Sequence, residues 1–273
     1  MNQNNQTVQL YLDLLKKTLS FTLWPEPPVP AFQNSPVRKT LLTGFVNIFS
    51  GKKLKLVELT EVAGEDRIDG RIWPGYADTM IGMKRLENLQ YCIETVLEEK
   101  IEGDCIETGV WRGGACIFMR AVLKAYGIED RRVFVADSFA GLPRPDGKKY
   151  AADEGDNHYT RSFLAVSRDT VASNFEKYGL LDDQVVFLEG WFKDTLPGAP
   201  IDKLAILRFD GDMYESTMDA LENLYPKLSP GGFCIIDDFA LPNCELAVND
   251  FREKHGITSE IVEIDWTGVY WRK

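Results

Sequence analysis

The chain has 273 residues, 44% apolar and 27% charged, which is ordinary for a globular protein and enough for one large or two small domains with a full core. Its 31 basic and 42 acidic side chains leave a formal charge of −11, which argues against non-specific binding to nucleic acid or an anionic membrane. No stretch approaches the roughly 20 apolar residues that span a bilayer, and the N-terminus lacks the basic and apolar regions of a signal peptide.

Residues 8–19 have helical periodicity, with Leu10, Leu14 and Leu15 on one side and Lys16 and Lys17 opposite. Pro25, Pro27, Pro28 and Pro30 then rule out regular helix and predict an extended arm. The N-terminal piece therefore reads as loosely attached: a lid, a dimer contact or simple packing. A helix is predicted over 40–49, and loops over 58–78, where Gly64, Gly70, Pro74 and Gly75 break the pattern. A strong helix follows from 83 to about 99.

From there strands and helices alternate. Strand 104–108, helix 115–126, strand 133–136, helix 168–178 and strand 185–188 are followed by strand 204–209, helix 216–228, strand 233–236 and helix 245–255. Two β-type segments, 260–265 and 268–272, close the chain. This order predicts a doubly wound α/β sheet, mostly parallel, with an antiparallel hairpin at one edge. Residues 1–82 form an N-terminal helical, arm and lid region; 83–273 form the core. The five cysteines contain no CxxC pair, so buried free thiols and a cytoplasmic location are expected. The only histidines are His158 and His255, too few for a His-rich metal site.

Parallel strands bring their carboxyl ends to one sheet edge, where open α/β folds bind ligands. The first predicted strand leads into Glu107-Thr108-Gly109-Val110-Trp111-Arg112-Gly113-Gly114 and then a helix. Glycines there let the backbone approach a ligand, but the spacing is not GxGxxG and supports no dinucleotide site. An acid before the glycines repels phosphate and attracts an ammonium or sulfonium group. The next strand ends in Asp137-Ser138-Phe139, where an acid accepts hydrogen bonds from ribose. The third ends in Glu189-Gly190-Trp191-Phe192, with aromatic faces for a purine. Together these suit S-adenosylmethionine. The alternative is that Gly113 and Gly114 merely permit tight packing and the acids cap helices.

The later strands end in Asp210-Gly211-Asp212 and Asp237-Asp238. Carboxylates crowded at one crevice repel unless a cation or protons compensate them. Mg²⁺ prefers oxygen ligands and leaves positions for an acceptor with neighbouring hydroxyls. Asp237 and Asp238 can instead be helix caps or a solvated strand end. Asp212 can be a general base, or the N-cap of a capping box completed by Glu215.

The blocks ETGVWRGG, VADSFAGLP, RFDGDMYEST and IIDDF resemble the TylF-type macrocin O-methyltransferase family, from about Trp73-Pro74 to the C-terminus. That resemblance implies a class I methyltransferase fold and S-adenosylmethionine- and Mg²⁺-dependent methylation of sugar hydroxyls on natural products. It also implies a homodimer or larger assembly, with N-terminal elements closing over the site. By the same resemblance Asp210, Asp237 and Asp238 are metal ligands, Asp212 is the base, and Met80, in Thr79-Met80-Ile81-Gly82, lies beside the cofactor. The rivals are a Mg²⁺-dependent phosphohydrolase of haloacid-dehalogenase type, suggested by the DxD and later DD, and a non-catalytic adenosyl-binding protein.

Overall fold

The computed structural model describes residues 3–25, 29–30, 43–45, 47, 50, 57–59, 64–72 and 75–273. Most of the helix expected over 40–49 lies outside them. Seven strands form one sheet in the order β3-β2-β1-β4-β5-β7-β6. They are β1 Asp104–Thr108, β2 Val133–Asp137, β3 Val185–Glu189, β4 Leu204–Phe209, β5 Leu228–Ile236, β6 Val262–Glu263 and β7 Val269–Arg272. The first five are parallel; β7 runs antiparallel to both β5 and β6, as the terminal hairpin predicts.

The helices are α1 Gln3–Leu19, α2 Gly64–Ile68, α3 Met83–Glu98, α4 Gly114–Ala125, α5 Arg168–Lys177, α6 Phe192–Thr195, α7 Tyr214–Leu224 and α8 Pro242–Lys254. They cover both sheet faces, and strand side chains sort onto those faces by their period of two. Cys105, Val133, Val135, Phe233 and Ile235 pack with α1, α3, α4 and α5 on one side. Ile106, Phe134, Ala136, Cys234 and Ile236 pack with α7 and α8 on the other. Central β4 is buried at every residue, which explains its unbroken apolar run. Outer β7 alternates buried and half-buried.

Two expectations are corrected here. Helix α1 is not loosely attached: Leu12, Leu15 and Leu19 enter the main core at 0–5% exposure. Its buried face is therefore not the predicted one, since Leu10 and Leu14 are more than half exposed. Strand β5 begins at Leu228 rather than at the predicted 233 and so takes in Pro230-Gly231-Gly232, with its register against β4 shifting between Leu204 and Ile206. The irregularity lets the strand begin early without a separate turn. All five cysteines are buried and free, as expected. Among the described residues no helix is long and apolar enough to cross a membrane.

Candidate active site

Strand β1 lies between β2 and β4, so the chain leaves it in opposite directions and a crevice opens at the strand ends. A cleft of about 290 Å³ occupies it, near the lower end of the roughly 300–1,000 Å³ typical of small-molecule sites. The backbone turns sharply at and behind its wall. Trp111 and Asp212, which line it, and Phe139 behind it, none of them glycine, have φ of 48°, 55° and 54°. Left-handed conformations cost of order 1–3 kcal/mol each in bulky residues and persist where surrounding structure imposes them.

On the β1–β3 side the cleft is lined by Glu107, Gly109, Trp111, Asp137 and Ser138, and by Gly190, Trp191 and Phe192. Thr79, Met80 and Ile81 close it from the segment before α3. Gly109 is required here: φ is +81°, and a Cβ would lie 1.6 Å from the Asp210 carbonyl oxygen. That close approach joins the glycine turn to the acidic strand end, as does the hydrogen bond from Asp210 N to Thr108 O at 2.9 Å. Thr108, Gly113, Gly114 and Phe139 do not line the cleft. A Cβ on Gly114 would sit 2.4 Å from the Asp78 carbonyl, and one on Gly113 2.7 Å from Val171, so both serve close packing. Thr108 is buried, its hydroxyl without a hydrogen bond among the described residues.

The acids on this side are already engaged. Asp137 accepts from Val110 N at 2.8 Å and Phe139 N at 2.7 Å, clamping the glycine turn to the end of β2. Burial raises its pKa, and the backbone donors oppose that. Glu107 accepts from Arg208 on one oxygen and from the Cys116 thiol, at 2.9 Å, on the other. Burial raises Glu107 as well, against the pull of Arg208.

On the β4–β5 side three carboxylates, Asp210, Asp237 and Asp238, each offer an oxygen within 4.8 Å of the other two. Three carboxylate oxygens gathered this closely can share one cation, and an oxygen-only set is the kind Mg²⁺ prefers. Arg208, 1% exposed, sits beneath it and reaches Glu107, Asp237 and, at 3.2 Å, Asp210. Arg85 holds the other Asp237 oxygen and Asp265 at 2.9 Å. Burial alone would raise Asp237, but Arg208 and Arg85 outweigh it and keep the group below its ordinary range. Asp210 and Asp238 go the other way: burial and then neighbouring acids push both well above it.

Asp212 does not cap the helix that follows. The N-cap of α7 is Met213, and the first free amides, Tyr214 N and Glu215 N, donate instead to Asp153 at 2.7 and 3.0 Å. The capping-box alternative is therefore overturned. The left-handed turn at Asp212 keeps its side chain out of N-cap geometry, and a fully buried acid from another loop takes the role. The Asp212 backbone N donates to Asp238 at 3.2 Å, while its own carboxylate accepts no hydrogen bond among the described residues. Burial, then Asp210 and Asp156, push its pKa up to about 7. Sequence reasoning missed Arg208, Arg85 and Asp153. Arg208 at least had a signal, a cation inside an apolar run, which must find acids when buried.

The fold and this cleft define a class I methyltransferase. The chain belongs to the macrocin-O-methyltransferase (TylF) family, whose model matches residues 8–273, and it is an O-methyltransferase. It is 52% identical to the 8-demethyl-8-(2,3-dimethoxy-α-L-rhamnosyl)-tetracenomycin-C 4'-O-methyltransferase of Streptomyces olivaceus, over 96% of this chain and 92% of that one. It is 49% identical to the mycinamicin III 3''-O-methyltransferase of Micromonospora griseorubida, over 97% of each chain. The solved structure of the O-methyltransferase NovP superposes with a TM-score of 0.84 at 46% identity, covering 97% of this chain and 99% of that one. Family membership overturns the phosphohydrolase and non-catalytic alternatives.

Proposed function

We propose that the enzyme transfers the methyl group of S-adenosylmethionine to a hydroxyl of a deoxysugar on a natural product, with Mg²⁺ as its metal. The observation that carries this reading is the free Asp212 carboxylate beside the Asp210, Asp237 and Asp238 set, in the same cleft as the glycine turn. The names of the tetracenomycin and mycinamicin relatives support a glycosylated acceptor.

In this reading the β1–β3 half binds the donor. Gly109 and Gly190 allow close approach, Asp137 and Ser138 meet the ribose, Trp191 and Phe192 meet the adenine, and Glu107 faces the amino-acid end. Thr108, Gly113, Gly114 and Phe139 support that half from behind the cleft wall. Asp210, Asp237 and Asp238 would hold the metal, which supplies orientation and acidification of the acceptor hydroxyl when bound. Asp212 takes the hydroxyl proton. The acceptor oxygen then attacks the methyl carbon in line with the departing sulfur. Donor cation and acceptor anion largely cancel in the transition state, so alignment by Arg85, Arg208 and Asp137 matters more than new charge. The enzyme acts as a homodimer or larger assembly, which light scattering checks.

Titration calorimetry with S-adenosylhomocysteine should show binding. Methyl transfer to the tetracenomycin rhamnoside, mycinamicin III or demethyldecarbamoylnovobiocin should stop on chelation and return with Mg²⁺. Turnover that is indifferent to chelation would remove the metal from the mechanism.

A further inference from the structure

Between β2 and α5 the chain makes three short helical turns, at Ala151–Asp153, His158–Thr160 and Ser162–Leu164. The first two are tied down at the acidic end of the cleft. Asp153 caps α7 immediately after Asp212. Asn243, near the start of α8, donates to Asp153 at 3.4 Å and to Asp156 at 3.5 Å. Asp156 is nearly buried, its side chain 6% exposed, and it accepts from His158 N at 2.8 Å and stands 2.9 Å from His158 Nδ1.

His158 itself lines the cleft. In a neutral ring the contact with Asp156 favours the hydrogen on Nδ1 and leaves Nε2 as an acceptor. Nε2 has no hydrogen bond among the described residues. A buried acid orienting a cleft histidine in this way is costly to maintain for a side chain that merely covers a loop. The Asp153 cap on α7, directly after Asp212, and the Asn243 bridge to Asp156 place the pair at the Asp212 end rather than the donor end.

We propose that His158, oriented by Asp156, is a specificity-determining residue for the acceptor, its Nε2 taking the O–H of a sugar hydroxyl next to the one that Asp212 deprotonates. The inference rests on the reading of the acidic half as the acceptor end.

The test uses the full-length enzyme, Mg²⁺ and whichever of mycinamicin III and demethyldecarbamoylnovobiocin the wild type turns over faster. His158→Ala should raise the acceptor KM by about three- to tenfold, the worth of one neutral hydrogen bond, with kcat little changed and S-adenosylhomocysteine affinity unaltered by calorimetry. His158→Gln, which can restore a polar atom near the Nε2 position, should recover much of the loss. An unchanged KM in a folded His158→Ala, or a loss of S-adenosylhomocysteine affinity matching the KM change, overturns the assignment. A wild type that binds S-adenosylhomocysteine yet methylates no sugar-bearing acceptor overturns the acceptor reading, and this inference with it.

Discussion

The two halves of the cleft both end their strands in acids, yet those acids live differently. On the glycine-turn side Asp137 is clamped by backbone amides, and Glu107 by Arg208 and Cys116. Among the described residues, the Asp212 carboxylate on the acidic side accepts nothing, and those of Asp210 and Asp238 each meet a single donor at 3.2 Å. One half spends its carboxylates on architecture, which fixes a concave surface before any ligand arrives. The other compensates Asp237 through Arg208 and Arg85 but leaves Asp210, Asp212 and Asp238 crowded with few donors, which favours a cation or a proton. Arg208 is the hinge of the comparison, because it bonds Glu107 on one side and Asp237 and Asp210 on the other.

The comparison is broken most directly at Asp212. Asp212→Asn keeps the shape and tolerates a left-handed φ, so the fold and S-adenosylhomocysteine affinity should survive. If Asp212 is the base proposed above, its removal should lower kcat by about 10²–10⁴. Steady-state kinetics with either sugar acceptor checks this, and wild-type turnover would reduce Asp212 to a structural residue.

Next in size is Arg208→Ala, which leaves Glu107 and Asp237 buried without their shared partner and should cost about 3–5 kcal/mol of stability. Denaturant unfolding reads this, and a loss below 1 kcal/mol would mean that the halves are not joined through this side chain.

A smaller effect concerns pH. A carboxyl whose pKa is raised by folding resists ionisation only in the folded state. For Asp212, raised to about 7, stability is therefore lost as pH climbs from the ordinary carboxylate range to about 7, and the penalty is full above that. Asp210 and Asp238, raised in the same direction, add to the loss. Asp237, held below its ordinary value, works the other way only in acid. Without metal the thermal midpoint should thus fall between about pH 5 and about pH 8, and added Mg²⁺ should raise it more at the higher pH. A Mg²⁺ shift independent of pH would contradict the coupling.

The smallest expected effect is at Asp153. Asp153→Ala should cost about 1–2 kcal/mol through loss of the α7 cap. It should also raise the acceptor KM more than the Kd of S-adenosylhomocysteine, because the loop lies on the acidic side. Equal effects on both ligands would erase the distinction between the halves.

Much of this was legible in the sequence. Unbroken apolar runs between amphipathic segments made the parallel sheet readable, because a strand covered on both faces has no polar side to show. The acids and glycines at the strand ends were readable because topology alone brings those ends together. The sequence could not decide which face of α1 is buried, since Leu10, Leu12, Leu14, Leu15 and Leu19 outnumber what one stripe can use. Nor could it decide whether Asp212 is base or cap. Local spacing permits both, and only Asp153, 61 residues from Tyr214 and on another loop, removes the cap from Asp212. The same holds for Asp156 and His158: adjacency makes the pair, but only tertiary packing turns it toward the cleft. Sequence determined which chemistry is present at the strand ends. Tertiary structure decided which of those groups are used up in holding the fold and which remain free to react, because hydrogen-bond partners are assigned through space.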